Sequence, residues 1–460
     1  MATCRRGRTG RLALVLSLAL GVVLVAAAPA GAASGSIIKW NVFRGPLDDG
    51  YQCIAPAPGG VYAAGFTDGS SRDVLIAKNS SANLNLGSRW WDNPAAGGTD
   101  VAIAEAVDRF GNVAVAGSAD GPASGAVNTD FLVLKMSRSS EPMWTAVLDG
   151  GAMAADAASD VVCDRDGNVY ATGWRTATVG ASFDYWTVKL DASDGHVVWQ
   201  QFYNSGVGRS YGANAICLDA AGNVYVTGGA GSTDGGSDMV TVKYDNLGNQ
   251  QWVVSTPGPV SGDDWGTHIA LGRSGALFVA GTTPGAGGHD FLLARLTVTG
   301  DTTWVRTYDD VAHWDDLARE LRVGPSNSPY VAGSMYSGNY SKSRGTIVRW
   351  SAGGDRLWAR TWASTAGRPA AFNDMVLDAA GTAWCAGFMV SPHTGHDKEG
   401  LVCKYSSSGR NVWASAWEGP GRKDDMFTCL TLQGATGLFA AGSSAYPGRG
   451  TDAAIVKYAR

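Results

Sequence analysis

Six aspartates stand at one offset in a repeating frame. Asp48, Asp100, Asp156, Asp264, Asp316 and Asp425 each precede by 17 residues a glycine that closes an apolar stretch. Carboxylates recurring in one register can do two kinds of work. Gathered at an opening, they focus a negative potential that draws a cation or a basic partner, and repulsion raises the pKa of one of them toward acid chemistry. Set between packed elements, they accept backbone N–H groups and lock neighbours together, the commoner use of a buried carboxylate. Tyr211 and Ala370 hold the two remaining positions. Trp174, with Phe66 and Phe388, follows such a glycine directly and offers an aromatic face that can stack on a sugar ring; hydrophobic cover is its plainer role.

Other donor sets are weaker. Residues 67–73 and 233–238 are Gly/Ser-rich loops carrying two carboxylates each, and calcium is the cofactor such loops would accept. Calcium needs six to eight oxygens, however, and neither loop has the twelve-residue EF-hand pattern. His393, His396 and Asp397 offer three ligands for a transition metal, but on a Gly/Pro-bearing loop rather than the rigid element such a site needs. His196, His268, His289 and His313 are scattered, and no G-x-S-x-G nucleophile accompanies them. No catalytic set is recognisable. Cys53, Cys163, Cys217, Cys385, Cys403 and Cys429 include no CxxC pair and sit among apolar neighbours. Only Cys385 and Cys403, expected on adjacent strands, are placed for a disulfide.

Export and charge frame this chemistry. Arg5, Arg6, Arg8 and Arg11 precede an apolar run over residues 12–28, followed by Ala30-Gly31-Ala32, the pattern of a cleaved signal peptide over residues 1–32. The run is shorter than the roughly 20 residues a membrane span requires. Cleavage would remove four arginines and no acid from a chain already at −5. The resulting acidic balance disfavours nucleic acid, whose phosphates demand clustered Lys and Arg.

The elements that must position these residues are strands. Apolar stretches end at Gly65, Gly117, Gly173, Gly228, Gly281, Gly333, Gly387 and Gly442, spaced 52 to 56 residues apart. Trp40, Trp90, Trp144, Trp199, Trp252, Trp304, Trp358 and Trp413 keep the same rhythm. Each unit reads as four short strands rich in Val, Tyr, Thr and Trp, bounded by Gly, Asn or Asp. In the fourth these are residues 214–219, 223–228, 239–244 and 250–254. Many strands are apolar on both faces, which suits sheets stacked between neighbours. The chain begins with an outermost-type strand around Trp40 and stops after a third-type strand, so the first strand completes the last unit. The expected fold is all-β: an eight-bladed β-propeller over residues 36–460, about 53 residues per blade, which loss of residues 37–43 should open.

Residues 219–228, Asp-Ala-Ala-Gly-Asn-Val-Tyr-Val-Thr-Gly, followed by Asp238 and Lys243 five residues apart, resemble the bacterial propeller repeat often called SBBP. The resemblance covers nearly the whole of the chain beyond the signal peptide, with Gly345 and Gly400 read in place of the strand-opening Asp in units six and seven. It implies an extracellular or envelope protein of undefined activity. The turn-plus-Trp pattern over residues 190–199 also looks like the docking repeats of quinoprotein dehydrogenases. The expected function is a secreted, non-enzymatic binding or scaffold module for a glycan, peptide or envelope partner. The alternative is a propeller enzyme, a polysaccharide hydrolase or lyase or a quinoprotein-like dehydrogenase, using carboxylates around the channel.

Overall fold

Chain reversal shows most directly how local sequence sets the architecture. Asp219 Oδ1 accepts the Ala221 and Asn223 N–H groups at 2.9 Å, while Oδ2 takes the Asn223 amide at 2.7 Å and the Tyr225 hydroxyl at 3.0 Å. Gly222 lies inside this turn at φ +82°, a conformation that costs a side chain energy. Equivalent turns form at Asp108 and Asp164.

The computed structural model describes residues 26–27 and 35–460, apart from 46, 70, 94–97, 122–127, 152–153, 178–182, 208–211, 234, 310–314, 337–342, 363–367, 392–396 and 436. Its strands form eight antiparallel sheets, seven of four strands and one of five, the blades of a propeller. Blade 4 runs Gly212–Leu218, Val224–Gly231, Ser237–Tyr244 and Gln250–Thr256. First strands of neighbouring blades pack on one another, which sets them around the axis. Leu132 and Val133 are consecutive in one strand and both fully buried, so that strand is covered on both faces. Each such side chain contributes roughly 1.5–3 kcal/mol.

Ile37–Phe43 pairs antiparallel with Arg449–Ala459 and supplies the outermost strand of blade 8. Asn41, 5% exposed, then donates to Asn79 Oδ1 at 2.9 Å and to the Asn83 carbonyl at 2.6 Å, fastening that blade to blade 1. Ala26–Ala27 pairs with Lys39 and Trp40 as a two-residue fifth strand. The rest of the expected signal peptide lies outside the described residues.

Register explains the Asp-x4-Lys pattern and corrects two readings. Lys243 and Trp252 stand opposite each other, and both donate to the Val298 carbonyl of the next blade, at 2.8 and 3.1 Å. Arg295 and Trp304 do the same to Ala352, each at 3.0 Å. Six tryptophans, Trp144, Trp199, Trp252, Trp304, Trp358 and Trp413, share this position. Trp40 and Trp90 do not: Lys39 and Gly87 stand there instead, because the paired strands of blades 8 and 1 are offset from the sequence rhythm. In blades 6 and 7 the strand-opening position belongs to Arg344 and Glu399, not to Gly345 and Gly400, and the five-residue spacing to Arg349 and Lys404 is kept.

Candidate functional site

Each first strand carries a β-bulge a few residues after its start. A bulge sets two residues against one and re-aims the side chains beside it. Here the residue after the bulge points toward the axis, and around the ring this position reads Cys53, Ala104, Asp160, Ala215, His268, Glu320, Asp374 and Cys429. Four of these eight side chains are ionisable carboxylates or imidazole. Glu105, one residue beyond Ala104, and Arg322, two beyond Glu320, join them.

Blades 5 to 7 contribute a chain of charges. His268 Nε2 lies 3.3 Å from Glu320 Oε2, Glu320 Oε1 lies 2.9 Å from Arg322, and Arg322 reaches within 4.0 Å of Asp374 Oδ1. The carboxylates also staple strands together. Asp160 accepts the Ile216 N–H of the next blade at 2.9 Å and its neighbour Val161 at 2.8 Å. Asp374 accepts Leu430 and Met375, both at 2.6 Å. His268 and Arg322 keep 33% and 46% of their side-chain surface accessible although protein surrounds them, as an axial channel requires.

Burial and charge decide the protonation states. Burial pushes Glu105 up to about 8 against a pull from the Ala55 backbone, and Asp160 up to about 6 against its two N–H donors. Burial would raise Glu320 too, yet Arg322 and His268 hold it well below the usual carboxylate range. Burial opposes protonation of His268, but Glu320 outweighs it and holds the imidazole above its ordinary value. Asp374 is pushed up by burial and by Glu320. Burial also lifts the Cys53 and Cys429 thiols well above their usual range, which leaves no thiolate to act as a nucleophile. Cys385 and Cys403 face each other in register as free thiols, not as a disulfide.

The aspartates singled out by their offset sit elsewhere, at the joints between blades. Asp100 accepts Asn93 N–H at 2.8 Å and Asp120 N–H at 2.9 Å. Asp156 takes Gly150 at 2.6 Å and Thr176 at 2.8 Å, and Asp264 and Asp425 take Gly258 and Gly419. Each ties an incoming crossover to the blade it enters. Asp100, Asp156, Asp264, Asp316 and Asp425 are at most 1% exposed. In blade 1 this place belongs to Asp49, which accepts Gly45 N–H, rather than to Asp48. The first hairpin turns through Pro58-Gly59 and is one residue shorter than the others, which moves the equivalent residue by one. Asp48 instead accepts Thr451 N–H at 2.6 Å. Trp174 packs its ring on Phe183 at 4.5 Å, while Phe66 and Phe388 lie under Arg72 and Lys398. Of the two candidate calcium loops, one has Asp68 paired with Arg72 at 2.6 Å; Asp234 of the other, with Tyr211, His313, His393 and His396, lies outside the described residues.

The axial set was missed although its signal is present: these residues precede the marker glycine by 13 positions, or 12 in the shorter first unit. A second feature carried no sequence signal. Between blades 1 and 2 a cleft of about 320 Å³ is lined by Ile76, Trp90, Trp91, Met136, Pro142 and Trp144, with Arg89, Glu141 and Thr145 beside them. Gly87, at φ +150°, occupies the place of the docking tryptophan there. Trp90 is 53% exposed, and Arg89 pairs with Glu141 at 2.9 Å.

No protein-family model matches the chain and no curated protein sequence is similar to it. Solved structures are similar in fold. Sqt1 from Chaetomium thermophilum matches at 11% identity over 91% of this chain and 100% of that one, with a TM-score of 0.52. The β-propeller domain of the Trilobed protease from Pyrococcus furiosus, described as having an open velcro topology, matches at 6% identity over 76% and 91%, with a TM-score of 0.43. An ulvan lyase bound to its polysaccharide unit matches at 12% over 77% and 91%, with a TM-score of 0.45. At these identities the likeness shows the fold alone. The chain is a β-propeller, and its own strand pairing makes it eight-bladed.

Proposed function

We propose that this protein is an exported, non-enzymatic binding module built from SBBP-type repeats, and that it holds a glycan chain in the cleft between blades 1 and 2. The observation that carries this reading is the cleft itself. Sugars present an apolar face and a rim of hydroxyls, and the cleft pairs three indoles with a guanidinium, a carboxylate and a hydroxyl at a volume suited to a small ligand. Most axial carboxylates, by contrast, are engaged by strand N–H groups or by Arg322 and His268. A glycan array probed with the wild type and Trp90→Ala tests the reading. Retention of a defined glycan that is lost in the variant supports it; absence of any retained glycan, or equal retention by both, overturns it.

One observation favours a second reading. Glu105 and Asp160, held up to about 8 and about 6, share one channel with His268, which the ionised Glu320 holds above its ordinary value, the arrangement general acid–base chemistry uses. Turnover of a polysaccharide that is abolished by Glu320→Gln while Trp90→Ala leaves it intact would establish this enzyme in place of the binding module.

A further inference from the structure

At the joint between blades 2 and 3, three carboxylates converge. Asp130 opens the third strand of blade 2, Thr129–Met136; Asp149 follows its outermost strand, Pro142–Leu148; Asp156 precedes the first strand of blade 3, Ala157–Cys163. Each brings a carboxylate oxygen within 4.8 Å of the other two. Asp156 spends one lone pair of each oxygen on a backbone N–H and keeps others free. Asp130 has no such relief. It is 4% exposed, and its Oδ1 is buried without a hydrogen-bond partner. The Asn128 amide oxygen, two residues earlier, is buried and unpartnered as well. A buried oxygen of this kind, in a carboxylate drawn close to two others, calls for a cation.

Equivalent joints show how the chain itself answers that need when it can. Where blade 8 meets blade 1, Arg44 stands in the place of Asp149, and its Nε lies 3.4 Å from Asp452, the counterpart of Asp130. Where blade 3 meets blade 4, Asn204 takes that place and donates to Asp184 at 2.5 Å, with Arg175 at 3.1 Å on the same carboxylate. The chain supplies an arginine or an amide at these two joints. At three others the middle residue is an acid and the triad is complete: Asp73, Asp92 and Asp100; Asp130, Asp149 and Asp156; Asp290, Asp309 and Asp316.

We infer that the Asp130, Asp149 and Asp156 joint is a calcium site, the ion standing where Arg44 stands at the closing joint. The donors are all oxygen, which selects a hard cation over zinc or copper. Calcium accepts irregular oxygen sets at about 2.3–2.6 Å, as carboxylates from three separate strands and loops supply, whereas magnesium demands a near-ideal octahedron at about 2.0–2.1 Å. The other two complete triads repeat the geometry. The ion would tie the outer edge of blade 2 to the inner strand of blade 3.

The test uses the whole chain stripped of metal by a chelator and titrated with calcium chloride alone. Binding is expected with a Kd of about 10⁻⁴–10⁻³ M, the range of extracellular modules, together with a higher melting temperature. Asp130→Asn should bind one equivalent fewer than the wild type. Without metal it should melt no lower than the wild type, since it removes a repelling charge, and with saturating calcium it should melt lower. Asp149→Arg, at an exposed position, copies Arg44 and should likewise lose one equivalent while holding its melting temperature in chelator. No binding at about 10 mM calcium, well above the expected Kd, would overturn the site. So would unchanged stoichiometry in both variants, or tighter binding of magnesium than of calcium.

Discussion

Two joints between blades, built from the same repeat, have come to serve different ends. Between blades 5 and 6, Trp304 lies 9% exposed, its indole and the Arg295 guanidinium sharing the Ala352 carbonyl. Between blades 1 and 2, Gly87 takes the tryptophan's place at a φ closed to ordinary side chains, and the wall it leaves empty becomes the cleft beside Trp90. The difference teaches that a binding surface in a repeat protein can arise by omission. One joint is sealed by a side chain, the other is left unsealed, and the remaining repeats keep the ring rigid around it.

Removing Ile37–Phe43 would break both joints at once. Blade 8 loses its outermost strand and the ring its closure, so cooperative unfolding in urea should give way to an aggregated or non-cooperative chain by circular dichroism. Retained cooperative unfolding would show that the ring does not depend on this strand. Trp304→Ala separates the joints next. A large indole lost from a sealed joint should cost about 3–5 kcal/mol in urea denaturation, with glycan binding between blades 1 and 2 unchanged. A loss under about 1 kcal/mol would mean the joint is not held by this side chain.

Glu105 is common to the ring rather than to either joint. Its carboxyl is held up to about 8 when folded and titrates near 4.3 when unfolded, so between these values the folded chain binds more protons. Stability should therefore fall as pH rises from about 4.3 through about 8, and Glu105→Gln should flatten that slope in melting temperature measured across the window. An identical slope in the variant would place the titration elsewhere. Trp90→Ala has the smallest expected effect on stability, within about 0.5 kcal/mol as for most surface changes, while glycan binding should weaken by roughly tenfold or more, about 1.4 kcal/mol. The two tryptophan variants thus carry opposite signatures: Trp304 stability without binding, Trp90 binding without stability.

Much of the fold was legible because its signals are local. The Asp219 turn, with Gly222 at positive φ, announces a hairpin in five residues, and the outermost-type strand at Trp40 can be matched to the missing strand of blade 8 by counting. Site residues were less so. The offset that picked out Asp100, Asp156, Asp264, Asp316 and Asp425 found true equivalents, but it misplaced Asp48 because the first turn is one residue short. The same counting, moved four residues along the chain, would have found Asp160, His268, Glu320 and Asp374; nothing in their neighbours distinguishes them from scattered polar residues until the strands are drawn into a ring.

The amino-acid sequence by itself determined the eight units, the strands within them and the N-terminal strand as the ring's fastening, since turn residues and apolar patterning act over a few positions. Only the tertiary structure decided which carboxylates are staples, which face the axis and which meet in triads. Those outcomes depend on bulges, register and contacts between blades some 50 residues apart. Charge pairing such as that of Glu320 with His268 of the neighbouring blade, or of Asp452 with Arg44, exists only once the blades have packed and the ring has closed.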